Sequence, residues 1–202
     1  MELFLDVDGI ILDFETSFID LMRDEYIPDL PDDYVPKNWE LHEEFPDIDM
    51  EEAWSKFVGS ERFAELNNLI DPGRFNQITA RFPTYLITNI PNHLIEKRKR
   101  NLAKHQFKYK EVFPAGHWDF GIQDYPTKSA IIKNLSTSGK RIVFLDDHPS
   151  NCKEVIDNVP NAEVYLMTRP HNQEIPDEDW VRVSGWDEFI EKIGSSSFCM
   201  DN

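Results

Sequence analysis

Cysteine is almost absent from this chain of 202 residues: Cys152 and Cys199 are the two, and their spacing fits neither a redox pair nor a metal-ligand cluster. A disulfide-stapled fold is thereby excluded, and a reducing compartment is the expectation. Long apolar runs are missing as well, which excludes a membrane-spanning helix. The N-terminus opens on an acid and a strand-like run, not on a basic segment followed by an apolar one, so no signal peptide is expected and the chain reads as cytoplasmic. Basic charge is scarce too, with 21 Lys and Arg against 38 Asp and Glu and a net charge of −17. Duplex nucleic acid is therefore excluded as a main partner, because affinity there comes from neutralising phosphates with cationic side chains. The acid excess is read as a solubility feature of the surface.

What is present is the composition of a folded domain, 40% hydrophobic and 12% aromatic, in a length that holds one substantial core or one core with a modest insertion. The first strand, Glu2-Leu3-Phe4-Leu5, stops at Asp6-Val7-Asp8-Gly9. Side chains two apart on an extended segment point the same way, so Asp6 and Asp8 are expected to face one site. Phe14, Phe18, Leu21 and Met22 then recur at helical spacing up to about Tyr26. A stretch rich in Pro and Asp follows, from Asp29 to Asp49, with Trp39, Leu41 and Phe45 as scattered anchors. Helices are predicted from Asp49, which has a capping-box glutamate at Glu52, from Ser60 to about Leu69, and from Asp71-Pro72 to about Phe82.

A second strand is predicted at Thr84-Tyr85-Leu86-Ile87-Thr88, followed by Asn89 and a helix from about Asn92 to His105. That helix carries Lys97-Arg98-Lys99-Arg100, read as a solvated face opposite Leu94, Ile95, Leu102 and Ala103. A short edge strand at Lys110-Glu111-Val112-Phe113 leads to a loop with Gly116, His117, Trp118 and Asp119. Thr127 then caps a helix that begins at Lys128, where a cation opposes the helix dipole and is an odd choice for stability alone. The strand Arg141-Ile142-Val143-Phe144-Leu145 breaks into Asp146-Asp147-His148-Pro149-Ser150-Asn151, and a helix with Cys152, Val155 and Ile156 follows. Ala162 to Met167 is a fifth strand, and a helix from Trp186 to Ile193 precedes a Ser-rich tail expected to be disordered.

Strands without internal alternation, separated by amphipathic helices, indicate an α/β fold: a Rossmann-like parallel sheet of about five strands, covered on both faces. In such sheets ligands bind outside the carboxyl ends of the strands. Asp6, Asp8, Thr88, Asn89, Asp146 and Asp147 fall on that one rim. Clustered carboxylates suit a hard divalent cation with oxygen ligands, Mg²⁺ above all, while Lys128 and Thr88 suit an anion bound beside it. An aspartate next to a phosphoryl group so held can act as nucleophile, with a second acid moving the proton.

Asp6-Val7-Asp8-Gly9, Thr88-Asn89, Lys128 and Leu145-Asp146-Asp147-His148-Pro149-Ser150-Asn151 together resemble the four ordered motifs of the haloacid dehalogenase (HAD) superfamily. The resemblance runs from the first strand to the helix after Asn151, and it implies a Rossmann-like core with these roles. Asp6 is the nucleophile and a metal ligand. Asp8 is the general acid/base, with its backbone carbonyl on the metal. Thr88 and Lys128 hold phosphoryl oxygens. Asp147 is the direct Mg²⁺ ligand, with Asp146 and Asn151 in or near its surroundings. An aspartate at position 8, where the dehalogenases lack one, points to phosphoryl chemistry over C–halogen cleavage. Ile10 departs from the family's usual Thr or Val at a structural position.

The same resemblance divides the chain into a core of residues 1–14 and 83–202 and a helical cap of residues 15–82. Trp39, Phe45, Trp54, Phe57 and Phe63 are candidates for a cap pocket, although most such aromatics serve as core. Asp13-Phe14 with Asn38-Trp39-Glu40 resembles deoxyribonucleotidases, whereas the helix and strand between Lys128 and Asp146 resemble sugar-phosphate and phosphoglycolate phosphatases. The implied activity is a Mg²⁺-dependent phosphatase acting on a small-molecule phosphate ester: a nucleotide, a sugar phosphate or phosphoglycolate. A phosphotransferase or phosphomutase on the same core, and a non-catalytic binding domain, are the alternatives. Oligomeric state is not legible in the sequence.

Overall fold

A computed structural model describes residues 1–38, 41–115 and 126–195. Trp39 and Glu40, the loop residues Gly116, His117, Trp118 and Asp119, the Ser-rich tail and Cys199 lie outside the described residues.

Six parallel strands form one sheet in the order β3-β2-β1-β4-β5-β6. They are β1 (Glu2–Leu5), β2 (Thr84–Thr88), β3 (Glu111–Pro114), β4 (Ile142–Asp146), β5 (Ala162–Met167) and β6 (Val181–Val183). β6 is the strand missed by the sequence reading of about five: three residues at an edge, only one of them buried, carry too little pattern to be seen. β1 and β4 are buried along their whole length, as strands covered on both faces must be. β1 pairs with β2 on one side and β4 on the other, so the chain changes direction across the sheet at β1. The carboxyl ends of β1, β2 and β4 are thereby brought together.

The two faces of the sheet carry different partners. Phe4, Ile87, Phe144 and Leu166 pack with Ile131, Ile132, Cys152 and Val155 of α7 (Lys128–Leu135) and α8 (Pro149–Asn158). Leu3, Leu5, Leu86, Val143 and Leu145 face the other cluster, which includes Trp186, Phe189 and Ile193 of α9 (Trp186–Ser195). That cluster continues into the helical segment inserted between β1 and β2.

The segment comprises α1 (Phe14–Glu25), α2 (Leu41–Glu44), α3 (Met50–Gly59), α4 (Glu61–Ala64) and α5 (Pro72–Thr79). Its starts follow the local chemistry: Asp13, Asp49 and Asp71 each accept a first-turn backbone N–H, and Pro72 opens α5. Phe14, Phe18, Trp54, Phe57 and Phe63 pack ring against ring, with the Phe18, Phe57 and Phe63 side chains fully buried. Phe75 of α5 packs edge-on against Phe107 and Trp186, which ties α5 to the sheet's own helices.

One expectation is corrected here. The helix predicted from Ser60 to Leu69 ends at Ala64. Beyond it the backbone is claimed from outside: Asn67 O accepts from Asp13 N, Leu69 N donates to Ile11 O, and Leu12 bridges Asn68. Leu66 N and O both bond the Asn101 side-chain amide. Backbone groups satisfied in this way cannot also serve a helix ladder.

Candidate active site

The rim at the ends of β1 and β4 is built around a buried cation. Thr127 accepts the Ala130 N–H and starts α7, so Lys128 sits at its first position. Its Nζ lies 2.6 Å from Asp6 Oδ1 and 2.7 Å from Asp146 Oδ2, with only 2% of its side chain exposed. The dipole cost noted in the sequence is thus offset by two close carboxylates. Burial would pull the Lys128 pKa down, but Asp146 and Asp6 outweigh it and hold the ammonium charged. Next to it, Ser129 donates to Glu154 of α8 through both its N–H and its hydroxyl, which fixes the start of α7 against α8.

Asp146 is fully engaged. Oδ2 takes Lys128, while Oδ1 accepts from His148 N at 2.8 Å and from Asn151 Nδ2 at 3.3 Å. Asn151 also donates to Asn89 Oδ1, which connects the end of β2 to the same network. Asp147 is buried with a different balance, since its Oδ1 has no hydrogen-bond partner. Its backbone carbonyl accepts from Asn172 Nδ2 at 2.7 Å and lies 3.2 Å from His171 Nε2. Burial pushes the Asp147 carboxyl up to about 7, with the charge of Asp146 adding to the rise against His171 and Arg169. Asp6 is raised well above the carboxylate range, again by burial first, with Asp146 and Asp147 opposing the relief from Lys128.

Asp6, Asp146 and Asp147 each offer an oxygen, and these lie within 4.8 Å of one another. Three buried carboxylates share one ammonium, which lies between Asp6 and Asp146, with His171 Nε2 3.6 Å from Asp147 Oδ2, and the orphaned Asp147 Oδ1 leaves an unused ligand atom. An all-oxygen donor set of this kind fits a hard divalent cation. Gly9 makes room for it: its φ of +81° is a left-handed conformation, and a Cβ there would lie 2.1 Å from Asp147 Oδ2.

Asp8 stands apart from that trio. It lies beyond the end of β1, where the two-residue alternation no longer applies, and its side chain turns to β2 and α6 (Ile95–Lys104). Oδ2 accepts from Thr88 Oγ1 at 3.1 Å and from Arg98 Nη2 at 3.2 Å. Oδ1 is 2.9 Å from the same Nη2, an ion-pair contact off the hydrogen-bond line.

Arg98 corrects the solvated-face reading of the basic helix. Lys99 and Arg100 do point outward, but Arg98 is fully buried. Its position explains this: Arg98 is three residues after Ile95 and four before Leu102, on the apolar stripe of α6. The charge run drew attention from a periodicity that already placed it inside. His171, Asn172 and Arg169 were missed as well, although the strand-end rule applied to β5 would have found them, since they follow Met167 directly. Arg169 Nε donates to Gly9 O at 2.7 Å and ties that turn to the opening motif.

No family model and no curated protein matches the sequence. Solved structures do match. A haloacid dehalogenase-like family hydrolase from Streptococcus pneumoniae aligns with a TM-score of 0.62 at 11% identity, over 96% of this chain and 97% of that one. The L-2-haloacid dehalogenase PA0810 aligns at 0.59 and 13% identity, over 95% and 98%. The HAD-hydrolase YfnB from Bacillus subtilis, solved bound to magnesium, aligns at 0.56 and 14% identity, over 96% and 98%. With its sheet order, its insertion after the first strand and its carboxylate rim, the chain has the fold of the haloacid dehalogenase superfamily.

Proposed function

We propose that this chain is a Mg²⁺-dependent phosphomonoester hydrolase working through an aspartyl phosphate. The observation that carries the reading is the position of Asp8. A second acid two residues after Asp6, held off the metal-type trio by Thr88 and Arg98, is the group that proton transfer to a leaving alcohol needs. A C–halogen substrate has no such need, because halide leaves without a proton. The dehalogenase PA0810 shares the fold, so fold alone does not decide between the two chemistries.

In this reading Asp6 attacks phosphorus through one carboxylate oxygen, and the P–O bond to the leaving group breaks. Asp8 delivers a proton to the departing oxygen, then takes one from the water that attacks the aspartyl phosphate, which returns Asp6 and releases phosphate. Lys128 neutralises Asp6 and faces the phosphoryl oxygens, and Thr88 adds a hydroxyl that also steadies Asp8. Asn89 and Asn151 buttress the ends of β2 and β4.

Asp147, through its unpartnered Oδ1, and Asp6 would hold the cation directly, with the backbone carbonyl of Asp8 as a further ligand that the family resemblance implies. Asp146, spent on Lys128, His148 and Asn151, orients the set from behind. Bound there, Mg²⁺ supplies charge neutralisation for a phosphoryl group, and the similar YfnB was solved with magnesium. The insertion of residues 15–82 acts as the cap that excludes water and selects the leaving group of a small phosphate ester. Among the described residues no helix is long and apolar enough to cross a membrane.

The test is a parallel assay of phosphate release from nucleoside monophosphates, sugar phosphates and phosphoglycolate, and of halide release from 2-haloacids. Phosphate release that needs Mg²⁺ and is lost in Asp6→Asn is expected; halide release without phosphate release overturns the reading.

A further inference from the structure

Arg98 is the fully buried cation of the described residues that touches both the opening motif and the insertion. Its Nη2 reaches Asp8, while its Nη1 donates to Phe63 O at 3.2 Å and to Asn101 Oδ1 at 3.3 Å. The Phe63 ring lies 4.3 Å from its Cζ, a cation–π distance in a desolvated setting. Burying a guanidinium is costly unless it is paired, and Asp8 is the carboxylate that pairs it. One face of the pair stays open: 17% of the Asp8 side chain is exposed against 0% of that of Arg98. The guanidinium is therefore shielded from substrate, and Asp8 is the member that faces it.

The surroundings of Arg98 are held as rigidly as Arg98 itself. Asn101, one turn on, bonds both backbone groups of Leu66, and His105 Nε2 lies 2.8 Å from Leu66 O. Arg98 and Asn101 of α6 and His105 at its end thus bind Phe63 and Leu66, at and just after α4, to that helix. Thr88 holds Asp8 from β2, and Arg98 holds it from α6 and α4 together.

We propose that Arg98 is the positioning residue for Asp8: it fixes the carboxylate over Thr88 from a seat formed by Phe63 and Asn101, so that the inserted segment sets where the proton-transferring group stands. This rests on the phosphatase reading above. It assigns to an unremarkable basic run a part in the reaction, exerted entirely through Asp8.

Leaving-group dependence tests it. Phenyl phosphate needs a proton on its departing oxygen far more than p-nitrophenyl phosphate does, so a displaced Asp8 harms the first ester selectively. Hydrolysis of the aspartyl phosphate is common to both esters, so the readout is kcat/KM, which reports its formation. Arg98→Met, with native circular dichroism, is expected to lose about a hundredfold in kcat/KM on phenyl phosphate, in the range of a general-acid contribution, while keeping kcat/KM on p-nitrophenyl phosphate within about threefold. Arg98→Lys keeps the charge but not the fork and is expected to fall between the two. If the Met variant does not fold, the Lys variant is read by the same ratio. Equal losses on both esters, or no loss, overturn the assignment while leaving the phosphatase reading standing. Failure of the wild type to turn over either ester removes both.

Discussion

Gly9 and Asp147, 138 positions apart in sequence, are so close that a single carbon added to Gly9 would sit 2.1 Å from Asp147 Oδ2. The left-handed φ of +81° at Gly9 and the absent side chain are both required, one for the turn and one for the carboxylate.

Gly9→Ala therefore has to move either the turn or Asp147. The expected outcome is a loss of about 1–3 kcal/mol in urea unfolding, from the strained backbone and the clash. The rise in Tm that Mg²⁺ confers on the wild type should shrink as well, which separates damage to the site from general destabilisation.

Lys128→Met strips the counter-charge from two buried carboxylates at once. Breaking a buried pair by removing one partner costs about 3–5 kcal/mol, so this variant is expected to be severely destabilised in urea and inactive. Lys128→Arg should not restore activity, because a planar fork cannot occupy the place of a point charge 2.6 Å from one carboxylate and 2.7 Å from the other.

Asp147 links cation binding to pH. Its folded pKa of about 7 lies above the 3.8 of an unperturbed aspartate. Between those values the folded chain holds a proton that the unfolded chain has released, so the contribution of Asp147 to stability without divalent cation falls as pH rises through this window and is level above about 7. Cation binding needs the deprotonated form. The Mg²⁺-induced rise in Tm is accordingly expected to be larger at about pH 8 than at about pH 5.5, and Asp147→Asn should shrink that difference, the part due to Asp6 remaining. Thermal unfolding at the two pH values, with and without Mg²⁺, checks it.

Asn101→Leu orphans the buried Leu66 N–H and removes one of the two bonds to the Leu66 carbonyl, leaving His105 Nε2 on it. A cost of about 1–3 kcal/mol is expected for the orphaned N–H. The insertion should also become the first region cut by protease, near residues 65–69, where the wild type resists.

The wall of aromatic side chains in the insertion shows why a substrate pocket could not be named from composition. Phe57 and Phe63 are pocket candidates by sequence although most such aromatics serve as core, and they are fully buried against Phe14, Phe18 and Trp54. Aromatic rings carry no local mark of which neighbour they meet.

By itself the sequence determined the alternation of strand and helix, the ends at which β1, β2 and β4 present polar residues, and the caps at Asp13, Asp49, Asp71 and Thr127. These are local properties, governed by side-chain periodicity and by which residue can bond the first free N–H groups of a helix. Tertiary structure alone decided how the acids divide. Asp6 joined Asp146 and Asp147 because β1 pairs with β4, whereas Asp8 was drawn to Thr88 and Arg98 because β2 lies on the other side and α6 follows it. The helix carrying Arg98 reads as basic along the chain. Its spacing from Ile95 and Leu102 puts Arg98 on the buried stripe, but only the packing of α6 shows which carboxylate that charge meets.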